Sequence, residues 1–393
     1  MTTKTFLHVG LPKSGTTYLQ AVLAENKDRL ADRSRLLFPG RSWQNQVKAV
    51  RDVRGQKGRG GSVDDAGAWG ALVDEISAWD GDTVVSMEWL GSAPTEQVAR
   101  IVESLSSTRV EVVITVRDLA RTIPAAWQEF LQNAEVWSWS EFLGAVTSEN
   151  PRATPAGNLF WSQQDLGKIL AVWRDSVPSD RLHVVTLPQA GAPAGELWSR
   201  FSHVLGIDGA LFDAGGRGSN ESLGRESTEL MLRLNEVCRA REVDWKTYEE
   251  MFKHALAKRG LSKRKHAESP QRRLPPELED WARARTAEQV RAIEASGASV
   301  VGDLDDLEPV FGAPGAEADE SSTEAILEAA LEGLVALAKD REAELERLRR
   351  RNEELRRKRR ASPGPRSALA PRRQLPKVYR SGVAAMRRVR RSR

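Results

Sequence analysis

The chain has 393 residues, 40% of them hydrophobic and 29% charged, which is enough to bury a substantial core and excludes global disorder. Its one cysteine, Cys238, excludes intramolecular disulfides and thiolate zinc clusters, and the five histidines (8, 183, 203, 254, 266) lack metal-ligand spacing, so no metal site is expected. The net charge of +4 is divided: residues 341–393 hold 20 Lys and Arg against 5 Asp and Glu, net +15, whereas residues 1–340 hold 39 against 50, net −11, which argues against specific nucleic-acid binding by the globular part.

The first residues run straight into a strand without the apolar stretch of a signal peptide, and no apolar run approaches the roughly 20 residues that span a bilayer. A cytoplasmic protein is expected. A strand over 5–9 leads through a glycine-bounded loop to a helix carrying Leu19, Val22, Leu23 and Leu30 at helical spacing. A short strand over 36–38 is closed by Pro39-Gly40, and 52–67, rich in Gly, Arg and Asp, is expected to be a mobile loop. A helix over 68–79, a strand over 83–87, a helix over 95–105 and a strand over 110–116 follow. Helices near 120–133, 138–147 and 164–175 precede a strand over 182–187 and a helix over 197–205. The stretch 222–296 is mainly helical, and the stretches 40–67 and 133–160 are expected to form irregular substrate loops. Strands alternating with helices indicate βαβ units and a parallel sheet. Cys238, among Leu230, Leu234 and Val237, is expected to be a small core residue.

The domain so outlined spans 1–311, and 312–322 has the composition of a linker. Over 323–358 a helix is expected: Leu327, Leu331, Leu334, Ala338, Arg341, Leu345, Leu348, Asn352 and Leu355 follow a 4-3 spacing, as in a two-stranded coiled coil with Asn352 at an a position fixing register. This predicts a homodimer through 327–355; a solvated single helix is the alternative. The basic tail 359–393 is expected to be disordered, apart from a short helix over 378–389. There Tyr379, Val383 and Met386 share a face beside Arg387, Arg388, Arg390 and Arg391, a pattern suited to an anionic membrane surface at the inner face.

The loop Gly10-Leu-Pro-Lys-Ser-Gly15-Thr-Thr lies between a strand and a helix, where converging backbone N–H groups and the helix N-terminus favour an anion. The spacing from Gly10 to Gly15 matches a Walker A loop, but Thr16 stands where a triphosphatase has Lys, and the lysine is Lys13 inside the loop. The nearest candidate for a metal-holding acid, Asp118, follows Arg117 and opens a helix. These features describe a phosphate cradle without metal machinery.

Lys13-Ser14-Gly15-Thr16-Thr17 after a strand ending His-Val-Gly resembles the 5′-phosphosulfate loop of the sulfotransferase family, in its bacterial carbohydrate- or lipid-directed branch. The strand over 110–116 running into Arg117-Asp-Leu-Ala-Arg is similar to the family's second element, whose Arg grips the 3′-phosphate. The segments 161–173 and 181–187 are also similar to bacterial members. The resemblance covers about residues 4–307. It implies a three-layer α/β sandwich with a central parallel sheet, like that of P-loop triphosphatases, with a helical C-terminal portion and the coiled coil appended. It also implies donor binding by Lys13, Ser14, Gly15, Thr16, Thr17 and Arg117. One departure stands out: the family's Ser eight residues after the Arg is Ala125 here, with Thr122 or Gln128 as substitutes, and the loop 216–222 is a further candidate for covering the 3′-phosphate.

The strand over 83–87 ends in Glu88, and side chains at a strand's C-terminal edge face the ligand crevice. In the carbohydrate-directed branch the acceptor base is a Glu at this place, so Glu88 is expected to be the base; His8 is expected to be a structural strand residue. The resemblance implies transfer of a sulfuryl group from 3′-phosphoadenosine-5′-phosphosulfate (PAPS), without a metal, to a hydroxyl of a carbohydrate, glycolipid or small metabolite. Two alternatives are a nucleotide-dependent kinase on the same loop and a non-catalytic donor-binding scaffold acting through its coiled coil.

Overall fold

The computed structural model describes residues 3–56, 65–215, 222–311 and 321–361. The expectations for 57–64, for 216–221, for 312–320 of the linker and for the tail beyond Ala361 lie outside the described residues.

Among the described residues, β1 (Lys4–Gly10), β2 (Leu36–Leu37), β3 (Asp82–Ser86), β4 (Arg109–Val116), β5 (Leu182–Thr186) and β6 (Ser299–Val301) form one parallel sheet, ordered β2-β3-β1-β4-β5-β6. β1 pairs with β3 on one side, Thr5 against Thr83, and with β4 on the other, Thr5 against Val110. The chain therefore leaves β1 toward one side and later returns on the other, so a crevice opens at its C-terminal end. The β1–β4 register slips between His8 and Gly10, where the strand gives way to the loop.

Alternation along each strand sends side chains to two separate cores. Phe6, Val84, Val113 and Val185 pack with α1 (Thr16–Glu25), α2 (Lys27–Ser34) and α10 (Glu196–Leu205). Leu7, Val9, Val85, Val112 and Val184 pack with α3 (Trp43–Val53), α4 (Ala68–Ser77), α5 (Thr95–Ser104) and α9 (Leu166–Arg174). The sheet is thus flanked by helices on both faces, an α/β sandwich. An aromatic cluster joins α6 (Leu119–Gln132), α7 (Trp139–Thr147), α8 (Pro155–Gln164) and α13 (Glu279–Ser296), with Phe130, Phe142 and Phe160 edge to face. A further cluster packs α11 (Arg225–Ala240) and α12 (Trp245–Thr247) with the π-helix Tyr248–Lys258. Cys238 is buried there as a core residue, its thiol pushed up by burial.

Four features differ from expectation. The first helix breaks at Asn26, whose amide donates to the carbonyls of Val22 (2.9 Å) and Asp213 (2.8 Å), drawing the chain into a tertiary contact instead of continuing the helix. The expected irregular stretch 40–67 contains α3, opened by a Ser42–Asn45 capping box. The stretch 133–160 contains, besides the expected helix α7, most of an unanticipated α8, started by Thr154 accepting from the Gly157 N–H at 3.1 Å, with Pro155 at the first position. β6 is three residues long and carries too little pattern to be anticipated.

The helix expected over 323–358 is α14 (Thr323–Ala361). The first compact unit runs to Asp340 and so includes the start of α14, and Arg341–Arg393 form the second. In the first unit Ile326 and Ala329 are buried, Arg259 pairs with Asp340 at 2.5 Å, and Arg264 pairs with Glu332. Leu327, Leu331 and Leu334 are exposed, as are Leu345, Leu348 and Leu355 in the second unit.

Candidate functional site

The loop between β1 and α1 is shaped by three left-handed residues: Gly10 (φ 80°), Lys13 (φ 68°) and Gly15 (φ 88°). For lysine this conformation costs roughly 1–2 kcal/mol, strain of the kind that concentrates at functional sites. Three of the loop carbonyls are held by side chains. That of Leu11 accepts from the Ser14 hydroxyl (2.5 Å), that of Pro12 from Gln164 Nε2 (2.9 Å), and that of Lys13 from Arg117 Nη1 (3.3 Å). Gly15 stands at the N-cap of α1 and offers no side chain to cap it. The positive end of the helix faces the cavity and favours an anion there.

Lys13, Gly15, Thr16, Thr17, Arg117 and Glu88 line a single cavity of about 1050 Å³. Ser14 does not. Its hydroxyl turns inward to Leu11 and to Thr115 Oγ1 (2.6 Å), and its N–H reaches the Leu11 carbonyl at 3.3 Å. Beneath it His8 bridges Ser86 (2.8 Å) and Thr115 (3.1 Å). Burial lowers the His8 pKa to about 3, so the imidazole is neutral near pH 7 and acts as a strut under the loop.

Glu88 opens a 3₁₀ turn, Glu88–Leu90, directly after β3. A Cβ on Gly10 would lie 2.6 Å from the Glu88 Cβ, so only glycine permits this approach. Burial pushes the carboxyl up, partly offset by its own backbone N–H and by Gln20, whose amide donates to Oε2 at 2.9 Å. Arg54 braces the turn from behind through the Trp89 carbonyl and through the hydroxyl and carbonyl of Ser92, both at 3.1 Å.

Arg117 leaves the end of β4 half-buried, with no partner for its Nε among the described residues. Burial, with Arg121 close by, lowers its pKa to about 10. Asp118 caps α6 by accepting from the Arg121 N–H at 2.9 Å and holds the Arg121 side chain. Ala125 faces the cavity. Thr122 is buried against the Arg117 carbonyl, and Gln128 lines the cavity while its amide donates to the Leu223 carbonyl (2.9 Å) and Thr228 (3.1 Å). Neither projects a free group in place of the missing serine.

The other wall was not anticipated. Lys253 and Lys258 from the π-helix, Arg259, Lys263 and, from α14, Lys339 and Asp340 carry its charge. The basic run 253–265, broken by apolar Leu256 and Leu261, was its visible signal. Glu129 on α6 also enters, paired with Lys13 at 2.9 Å. Burial opposes its ionisation, but Lys13, Lys253 and Lys258 outweigh it and hold the carboxyl below its usual range. Among the described residues no cluster of three or more His, Cys, Asp or Glu could hold a metal ion, and no helix is long and apolar enough to cross a membrane.

No protein-family model matches the chain. No curated protein matches it either. Among solved structures, the crystal structure of a sulfotransferase from Alicyclobacillus acidocaldarius is similar, with 15% identity over 62% of this chain and 98% of that one, at a TM-score of 0.38. At that distance the likeness decides neither donor nor acceptor.

Proposed function

We propose that this cavity is the active site of a sulfotransferase that moves a sulfuryl group from PAPS to an acceptor hydroxyl on a carbohydrate, glycolipid or small metabolite. The observation that carries this reading is the meeting of Lys13 and Glu88 in one cavity, with the anion-ready start of α1 beside them. The donor's 5′-phosphosulfate would sit on the first-turn N–H groups, with Arg117 taking the 3′-phosphate. Lys13 would exchange Glu129 for the bridging oxygen, where charge develops as the S–O bond to phosphate breaks. Glu88 would accept the acceptor's proton as its oxygen bonds to sulfur. A carboxylate whose pKa is pushed up is a stronger base for that task, provided it is ionised. The kinase alternative would need an acid free to hold a metal ion, and Asp118 is engaged in capping α6.

Two accompanying proposals rest on separate features. The exposed leucines of α14 support pairing of two copies. The basic composition of 359–393 supports attachment to an anionic membrane surface from the cytoplasmic side. The direct test of the main reading is calorimetric titration with 3′-phosphoadenosine 5′-phosphate (PAP) in EDTA, followed by transfer of label from PAPS to extract acceptors. Magnesium-dependent ATP binding without affinity for PAP would reject it.

A further inference from the structure

The cavity carries eight Lys and Arg against three carboxylates. Much of that charge is already engaged. Lys13 pairs with Glu129, Arg259 with Asp340, and Arg121 with Asp118 and the Pro188 carbonyl, while Lys253 donates to Asn133 at 2.7 Å. Arg117 belongs to the loop side, where it bonds the Lys13 carbonyl. Lys258, Lys263 and Lys339 remain, each without a side-chain hydrogen bond or ion pair among the described residues. They stand on three different elements: the end of the π-helix, the turn Leu261–Ala267 and α14.

Three ammonium groups without a hydrogen-bonded partner among the described residues, of which Lys258 is near the carboxylates of Glu129 and Glu249, favour the entry of an anion. Being spread over three elements, they suit several negative groups along an extended ligand better than one phosphate. The space agrees: about 1050 Å³ stands at the upper end of the roughly 300–1,000 Å³ range of ligand clefts. The sheet-edge wall already offers the helix N-terminus, Lys13 and Arg117 to a nucleotide. Burial, with Lys13 close by, pushes the Lys258 ammonium below its usual range against the pull of Glu129 and Glu249, and a further anion would favour its charged form.

Resting on the sulfuryl-transfer reading, we infer that the acceptor is an acidic glycan, a sugar chain bearing carboxylate groups, seated against Lys258, Lys263 and Lys339. Its negative groups would lie along the C-terminal helical wall, with a hydroxyl directed toward Glu88.

The test uses the full chain saturated with PAP and two fluorescent probes, a polyuronate oligosaccharide and its carboxyl-reduced, neutral counterpart. At low salt the charged probe should bind at least tenfold more tightly, and added salt should weaken it. The double variant Lys263→Ala/Lys339→Ala should lose at least fivefold in affinity for that probe while holding PAP within twofold of wild type. Equal binding of the two probes would overturn the inference. So would a double variant whose PAP affinity falls in step with its glycan affinity, since the lysines would then hold the donor. A protein that ignores PAP yet still prefers the charged probe would reject the donor reading and leave the acidic-glycan site standing.

Discussion

Gly10 and Glu88 are in contact across the sheet: a methyl group on Gly10 would come within 2.6 Å of the Glu88 Cβ. The end of β1 and the end of β3 thereby place the phosphate loop and the carboxylate on one cavity, and the left-handed φ of Gly10 adds a second restriction. Gly10→Ala should destabilise the fold by about 1–3 kcal/mol and cut turnover far more than that loss explains. Thermal melts read beside turnover at a temperature where the variant stays folded separate the two effects.

Glu88→Gln keeps shape and most hydrogen bonding but cannot take a proton. Turnover should fall about 10²–10⁴-fold, with PAP affinity unchanged. Wild-type turnover should climb with pH through a titration displaced above the ordinary carboxylate range, because burial raises this group. The stability effect has the opposite sign. The folded state binds the proton more tightly than the unfolded chain, so the contribution is full below the unfolded pKa and is lost as pH rises through the folded one. Glu88→Gln should therefore melt no lower than wild type at pH 8. A variant turning over near the wild-type rate would remove Glu88 from the mechanism.

Lys13 and Glu129 make a paired prediction. Lys13→Ala should lower turnover at least about tenfold through lost charge stabilisation. Glu129→Gln removes the carboxylate that competes for Lys13 and should tighten PAP binding several-fold. Calorimetry on both variants checks this; weaker PAP binding by Glu129→Gln would mean that the ion pair holds the loop in its binding shape.

Ala125 faces the cavity that Arg117 also lines. Ala125→Ser restores the hydroxyl that the family resemblance implies at this position. One added hydrogen bond contributes about 0.5–1.5 kcal/mol, so PAP affinity should rise roughly two- to tenfold. No change would show that the 3′-phosphate is held elsewhere.

The leucine stripe of α14 predicts a dimer. Full-length protein should scatter light as two chains, and Leu345→Asp/Leu348→Asp as one, with PAP affinity retained because both positions lie outside the cavity lining. Equal mass for the two proteins would leave α14 a solvated single helix.

The sheet was legible because each buried strand is a short apolar run beside a turn or helix signal, and the loop because Gly10, Lys13 and Gly15 stand between strand and helix. Glu88 was legible from its place after β3. What escaped depends on contacts distant in sequence. Ser14 looks like a phosphate ligand until Thr115 captures its hydroxyl. Lys258 and Lys263 look like a solvated basic run until the π-helix and the following turn bring them to the cavity. α3 was hidden because Asn45 stands at the capping-box position where Glu or Gln is the usual signal.

The hydrogen bond from Gln164 to the Pro12 carbonyl ties the last residue of α8 to the phosphate loop. Any ligand that steadies the loop must then also favour the docked state of α8, since linkage between two sites is reciprocal. Amide protons in Ala156–Gln164, none of which belongs to the first turn of α1, should exchange more slowly once PAP is bound. Gln164→Ala should abolish that protection and weaken the nucleotide by the same factor, so α8 reports occupancy of a site whose ligand it never meets.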